Sequence, residues 1–316
     1  MKLDPQAREL LERAARANVP PYSQLDPESA RALYRETRGK LAGAPAEVAR
    51  VEDLDAGGIR VRHYRPMGAV DGEVLPALVF FHGGGWTIGD LDTHDVPCRE
   101  LANLAICSVI AVDYRLGPEH RFPAAVDDAV AATRWVHANA AALAIDPTRI
   151  AVGGDSAGGN LAAVVCIALR DAAGPTLAMQ ALIYPATDMA ADAPSHFELA
   201  EGYMLTRDAI QWFMGNYLNG PQDVADWRAS PLRAKDLSGL PPAYVVTAGF
   251  DPLRDEGLAY AEALEKAGVH VTYECFEGMI HGFITMAGVL AAGHHCLYRV
   301  ATGLRQRFAR LKEGMA

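Results

Sequence analysis

No stretch of this sequence comes near the roughly 18 consecutive apolar residues that a membrane-crossing helix needs, which excludes a helical membrane span. The opening Met1-Lys2-Leu3-Asp4-Pro5-Gln6 leads into no apolar run of the signal-peptide kind. Cysteine is sparse. Cys98, Cys107, Cys166, Cys275 and Cys296 are odd in number and widely spaced, so neither a disulfide framework nor a C-x-x-C zinc site is expected. They read as small buried hydrophobes in a reducing compartment, and the expected location is the cytoplasm. Positive charge is in deficit, with 29 Lys and Arg against 39 Asp and Glu and a net charge of −10. With no dense basic cluster to displace counterions, nucleic acid is not an expected partner.

What is present is globular. The chain has 316 residues, half of them hydrophobic, enough for one large α/β domain or two ordinary ones. Asp4-Pro5 and Asp26-Pro27 each place an N-cap before a helix-compatible proline. They predict two leading helices, the first ended by Pro20-Pro21 and the second running to about Gly43. Gly57-Gly58 then joins two strands, over 46–55 and 59–64, as a hairpin. Short apolar runs follow at 76–81, 108–113, 149–153, 181–184, 243–248 and 269–276. Helical patterns separate them, including 157–170, 257–267 and a last helix carrying Leu304, Phe308 and Leu311. Strands without polar alternation, alternating with helices, predict a mostly parallel central sheet with helices on both faces.

One stretch breaks that rhythm. Thr206 can cap a helix that places Ile210, Phe213, Met214, Tyr217 and Leu218 on one face, in a connection too long for an ordinary loop. It reads as an inserted cap. The expected organisation is residues 1–45 as N-terminal helices contributing to the cap and 46–187 as the first part of the core. Residues 188–228 form the inserted cap segment and 229–316 the second part of the core. The apolar face of the insertion is expected to bury against the N-terminal helices through Leu10 and Leu11.

The sharpest motif is Gly154-Asp155-Ser156-Ala157-Gly158-Gly159, placed after an apolar strand and before a helix. A G-x-S-x-G in that context puts a serine on a tight strand-to-helix turn, where small neighbours let the chain segments approach and the helix N-terminus favours developing negative charge. His82-Gly83-Gly84-Gly85-Trp86 ends another strand and offers backbone N–H groups to an oxyanion. No Lys-Ser/Thr follows it, which argues against a phosphate loop. His82 itself is read as bracing that loop. A base and an acid should follow Ser156 in the order acid, then histidine. His281, in a loop after the last strand, fits the base better than His196, His270, His294 or His295. Asp251, ending a strand in Gly249-Phe250-Asp251-Pro252, fits the acid. Asp255 is its main rival and Asp188 the other.

On these stretches, together with Asp113-Tyr114-Arg115-Leu116, Pro118-Glu119-His120, Phe122-Pro123-Ala124-Ala125, Asp251-Pro252-Leu253-Arg254-Asp255 and His281-Gly282-Phe283, the chain resembles the hormone-sensitive-lipase-like, or family IV, bacterial and archaeal carboxylesterases. The resemblance runs from about residue 60 to the C-terminus and implies the α/β-hydrolase fold. Gly117 stands where that family often has Ala. The resemblance implies oxyanion donors at the N–H groups of Gly84, Gly85 and Ala157, and the acid and base at Asp251 and His281. It further implies that Asp155 holds neighbouring loops and that Arg115 and Glu119 form a structural pair. The activity it implies is hydrolysis of short- to medium-chain acyl esters through a serine acyl-enzyme, with no metal and no cofactor. Trp86, Met204, Leu205, Phe213 and Met214 are the candidate pocket walls. Two other readings use the same scaffold, a non-catalytic small-molecule receptor and an amidase. The sequence leaves the assembly state, including a homodimer, open.

Overall fold

The computed structural model describes residues 2–314. Eight strands form one sheet in the order β1-β2-β4-β3-β5-β6-β7-β8. The hairpin of β1 (Arg50–Asp55) and β2 (Arg60–Arg65) turns at Gly57 and Gly58, both at positive φ. β2 runs antiparallel to β4 (Ser108–Val112). From β4 onward every pairing is parallel, through β3 (Leu75–Phe81), β5 (Ile145–Asp155), β6 (Gln180–Ile183), β7 (Ala243–Phe250) and β8 (Val271–Ile280). β3, β4 and β6 are buried along their whole length, which is why their sequences show no polar alternation. Two separate apolar clusters, one on each face of the sheet, form the core. No described helix is long and apolar enough to cross a membrane.

The helices fill the expected gaps, with one addition. α1 (Pro5–Ala17) and α2 (Pro27–Leu41) start at Asp4 and Asp26, whose carboxylates accept the amides of Gln6 and Ser29. α1 stops at Asn18, in the left-handed conformation, before the prolines are reached. The additional helix is α3 (Asp95–Ala105), which buries Val96, Cys98, Leu101 and Ala102 between β3 and β4 in sequence. α4 (Ala124–Ala138) and α5 (Ala157–Asp171) follow. α8 (Arg254–Lys266) and α9 (Ala291–Lys312) complete the layers around the sheet. Strand ends moved as well. β1 begins four residues later than its apolar pattern suggested, and β8 continues to Ile280.

Between β6 and β7 lie the short α6 (Ser195–Glu198) and α7 (Arg207–Tyr217), the latter capped by the Thr206 hydroxyl on the Ala209 amide. The expected partners of this insertion, Leu10 and Leu11, are elsewhere. The amide of Asp4 donates to the carbonyl of Gly278 at 3.0 Å, which pins α1 against the end of β8. Leu10 therefore belongs to, and Leu11 packs against, the core cluster that also holds Phe283, Ile284 and Leu297. Part of the apolar face of α7 meets α2 and the turn Tyr22–Gln24 instead: Phe213 and Ala209 cluster with Ala30, Tyr34 and Ile88, while Ile210 and Tyr217 join one of the two core clusters. Tyr22 stacks on Trp212 with ring centroids 6.4 Å apart.

A second expectation fails on partner choice. Arg115 and Glu119 do not pair with each other. Arg115 binds Asp128 of α4 through Nε and Nη2, and Glu119 receives both terminal nitrogens of Arg31 from α2. In each case the neighbouring helix brings a better-aligned partner than the four-residue separation along a non-helical segment allows. The five cysteines are free, and four of them are buried.

Candidate active site

β5 delivers Ser156 into a backbone geometry that a side chain rarely adopts, φ 56° and ψ −118°. The turn exists because its neighbours lack side chains. A Cβ on Gly158 would lie 1.9 Å from the carbonyl oxygen of Phe81, so only glycine lets the start of α5 come this close to β3. Ser156 thereby stands at the N-terminus of α5, where unbonded amides and the helix dipole favour negative charge.

β7 and β8 supply the rest. Asp251 follows directly on β7 and is fully buried, with one carboxylate oxygen accepting the Leu253 amide at 2.9 Å. Its other oxygen lies 2.7 Å from His281 Nδ1, and His281 Nε2 lies 2.9 Å from Ser156 Oγ. Because β8 continues to Ile280, His281 is held at a strand end, not on a free loop. The structure thus brings Ser156, His281 and Asp251 into one hydrogen-bonded line. It leaves the rivals outside that line. Asp255 accepts from Arg254 at 2.7 Å and from the Ser195 amide at 2.9 Å. Asp188 is paired with Arg233.

Gly84 and Gly85 follow β3 at φ 119° and 57°. A Cβ on Gly84 would strike the Ile88 carbonyl at 2.1 Å. The carbonyl of Gly84 accepts the amides of Thr87 and Ile88, which turns the loop back on itself. Among the described residues, the amides of Gly84, Gly85 and Ala157 donate to no protein acceptor, and all three residues line the pocket that holds Ser156.

The loop is held by buried polar groups. The Gly83 amide donates to Asp155 Oδ1 at 2.8 Å, and His94 Nε2 approaches the same oxygen at 3.1 Å. Burial pushes the Asp155 carboxyl up, but His94, His281 and the Gly83 amide more than offset it, so it stays below the usual carboxylate range. His82 Nδ1 lies 2.8 Å from the Gly83 carbonyl, and its ring stacks on Tyr114. Burial, with the neighbouring His94 charge, pushes the His82 imidazole down to about 4. His82 is therefore neutral and acts as a brace.

The pocket above Ser156 has a volume of about 90 Å³. Its walls include the sequence candidates Trp86, Met204, Leu205, Phe213 and Met214. Trp86 is fixed by stacking on Tyr217, with ring centroids 4.5 Å apart. Sequence reasoning missed other members of the wall. Tyr22, Tyr34 and Arg38 come from the N-terminal segment, and His196 and Glu256 form a buried pair at the foot of the insertion. The helical spacing of Arg31, Arg35 and Arg38 was the one available signal for the first group. Burial raises the Glu256 carboxyl above the usual range, with His196 and the amides of Thr187 and Asp188 opposing in part. Among the described residues no group of three or more His, Cys, Asp or Glu side chains is arranged to hold a metal ion.

A family model described as an alpha/beta hydrolase fold matches residues 78–285. The chain is 51% identical over 247 residues to the carboxylic ester hydrolase LipN of Mycobacterium tuberculosis, covering 75% of this chain and 65% of that protein, just under two thirds of its length. It is 40% identical over 296 residues to the ethyl acetate hydrolase of Pseudomonas putida, covering 91% of this chain and 92% of that one. Among solved structures, an ester hydrolase from the metagenome of Lake Arreo, complexed with a bipyridine phosphonate derivative, superposes with a TM-score of 0.93. It shares 44% sequence identity, over 97% of this chain and 99% of the other.

Proposed function

The chain belongs to the hormone-sensitive-lipase-like branch of the α/β hydrolases and is a carboxylic ester hydrolase, and from that premise we propose how and on what it acts. Ser156 is the nucleophile, His281 the general base and Asp251 the residue that orients His281. The observation carrying this assignment is the line of contacts at 2.7 Å and 2.9 Å from Asp251 through His281 to Ser156 Oγ. His281 takes the serine proton as Oγ attacks the ester carbonyl. The amides of Gly84, Gly85 and Ala157 receive the oxyanion, worth about 3 kcal/mol for a single donor in such sites. The protonated imidazole then gives its proton to the leaving alcohol. A water deprotonated by His281 releases the acid and restores Ser156.

The substrates are short- to medium-chain acyl esters. The pocket is a bounded one, walled by Trp86, Met204, Leu205, Phe213 and Met214. Each methylene that fits gains about 0.8 kcal/mol, and one that does not meets the overpacking penalty. The family resemblance puts the optimum at about four to eight acyl carbons, with poor use of emulsified long-chain triglycerides. Residues 1–45 and 188–228 contribute the cap in this reading, with Phe213 and Met214 facing the acyl chain. A cytoplasmic location, supported by five free cysteines, and a homodimer belong to the same proposal. The test is kcat/KM over p-nitrophenyl esters of increasing acyl length, with Ser156→Ala as control. A steady rise to sixteen-carbon chains with interfacial activation would replace this reading with that of a true lipase.

A further inference from the structure

α2 carries three arginines at helical spacing, and two of them pair with acids. Arg31 donates to both carboxylate oxygens of Glu119 and to the carbonyls of Thr87 and Gly117. Arg35 pairs with Asp90. The third, Arg38, is only 8% exposed; beyond a contact with the Tyr34 side chain it makes no hydrogen bond or ion pair with any described residue, and its Nε is buried without an acceptor. A guanidinium buried without an anionic partner is costly, because a donor such as the Nε–H loses water and gains no acceptor. A cation at the end of a helix does relieve the helix dipole. Lys40 in the same last turn already does so while exposed and paired with Glu36. The burial of Arg38 needs another reason.

Its position supplies one. Arg38 lines the pocket that contains Ser156 and His281. Its Nη2 lies 3.4 Å from where a Cβ on Gly282 would stand, directly beside His281 in sequence. The guanidinium lies over the Tyr34 ring at 4.7 Å. Stacking of that kind uses the face of the group, so the N–H donors at its edge that do not reach Tyr34 are left for an acceptor in the pocket. The acids on the same wall are each occupied: Asp155 by His94 and the Gly83 amide, Asp188 by Arg233, Glu256 by His196. Among the described residues lining the pocket, Arg38 is the one Lys or Arg side chain, and no acid on the wall pairs with it.

We propose that Arg38 recognises a free carboxylate on the substrate, so that the enzyme takes esters bearing an anionic carboxylate beside the scissile bond in preference to neutral esters of equal size. The proposal rests on the reading of Ser156 and His281 as the ester-cleaving pair in this pocket. A planar fork matches a carboxylate through two parallel N–H···O bonds, and the low dielectric of the cavity strengthens them. The carboxylate can belong to the acyl half, as in a monoester of a dicarboxylic acid, or to the alcohol half, as in an acylated hydroxy acid.

The experiment measures a ratio of kcat/KM values for the full-length enzyme in two arms. The acyl arm compares 4-nitrophenyl hydrogen glutarate with 4-nitrophenyl pentanoate, and the alcohol arm compares O-acetyl-lactate with isopropyl acetate. In one arm Arg38→Met should lower the charged-to-neutral ratio by roughly 30-fold or more, carried mainly by KM, and Arg38→Lys should lower it less, keeping charge without the fork. The arm that responds identifies the half that carries the carboxylate. A ratio that stays within about 3-fold of wild type in both arms, or charged and neutral esters falling in parallel, would make Arg38 a structural cation and overturn the proposal. If Arg38→Met does not fold, the wild-type enzyme still decides. Glutarate should inhibit hydrolysis of 4-nitrophenyl pentanoate competitively and more strongly than neutral glutaramide, and equal inhibition counts against the proposal. Failure of the underlying ester reading looks different: the neutral esters themselves would not be hydrolysed, or Ser156→Ala would hydrolyse them as well as wild type.

Discussion

His281 and His196 both lie beside a buried carboxylate on the wall of one pocket, but in two regions of the molecule. His281 stands with Asp251 where β7 and β8 end, and its second ring nitrogen reaches Ser156 at 2.9 Å. His196 stands with Glu256 where the inserted segment meets α8, and its second nitrogen, Nδ1, has no partner among the described residues. Glu256 also accepts the amide of Thr187 at 2.6 Å, the point at which the chain leaves the core. The same chemical pair is thus put to two uses. At the strand ends it is aimed at a hydroxyl and can move a proton. At the foot of the insertion it is a clamp, with nothing in reach to deprotonate. A buried histidine–carboxylate pair does not announce a base; the third group decides.

The largest effects should come from breaking the strand-end line. Ser156→Ala should fold and lose on the order of 10⁶ in kcat, leaving only the contribution of oxyanion donors and binding. Turnover near the native rate in a clean preparation would remove Ser156 from the mechanism. Asp251→Asn should cost about 10³–10⁴ by favouring the wrong tautomer of His281. Asp255→Asn, four residues on, should cost less than about tenfold, since that carboxylate serves Arg254 and the Ser195 amide. If the two asparagine variants exchange their effects, the acid is Asp255.

The clamp should respond in the opposite currency. Glu256→Gln removes the charge from a buried pair and should lower unfolding free energy by about 2–4 kcal/mol, read from urea titration. Its kcat/KM for a small neutral ester should fall by less than about tenfold. A variant of full stability that has lost three orders of magnitude in activity would mean that both pairs share in the chemistry, and the comparison would collapse.

The strand-end region and the helix of the insertion were legible in the sequence, but the surfaces that the insertion and the N-terminal helices meet were not, for a physical reason. Parallel strands buried on both faces must be apolar throughout, and a serine on a strained turn demands glycine around it, so both leave local patterns. Gly158, with no room for a Cβ beside Phe81, is visible as a letter in a motif. Asp155 was expected to hold loops, and its contacts to Gly83 and His94 do so. His94 itself was invisible, because nothing sets it apart from its polar neighbours Asp90, Asp92, Thr93 and Asp95, and the helix it precedes, α3, is punctuated by Pro97. Partners across space were not legible either. Arg31 and Glu119 are 88 residues apart, and only the docking of α2 brings them together. Leu10 obeyed a helical period but could not say which of two apolar surfaces it would meet; the Asp4 amide on Gly278 decided that.

The smallest effect tests how α2 is tied to the core. Arg31 reaches from α2 to Glu119, and its hydrogen bonds hold the Glu119 carboxyl down at about 2, from an ordinary 4.5. A carboxyl depressed by folding stabilises the folded state fully above its unfolded value, because there the unfolded chain gains nothing by taking up a proton. As pH falls below about 4.5 the unfolded chain binds that proton first, and the contribution shrinks until it is gone near 2. Glu119 has a side chain 54% exposed, so water screens the pair and its worth is under about 1 kcal/mol, far below the nominal value of the shift. Glu119→Gln should therefore lower Tm by a few degrees at most at pH 7, on the order of 2–4 °C per kcal/mol for a chain of this size or smaller. The gap from wild type should narrow as pH is taken toward 3. Added salt at pH 7 should narrow it too. A gap that is independent of both pH and salt would show that the tie works through the carbonyls of Thr87 and Gly117 on Arg31, with the charge of Glu119 contributing nothing.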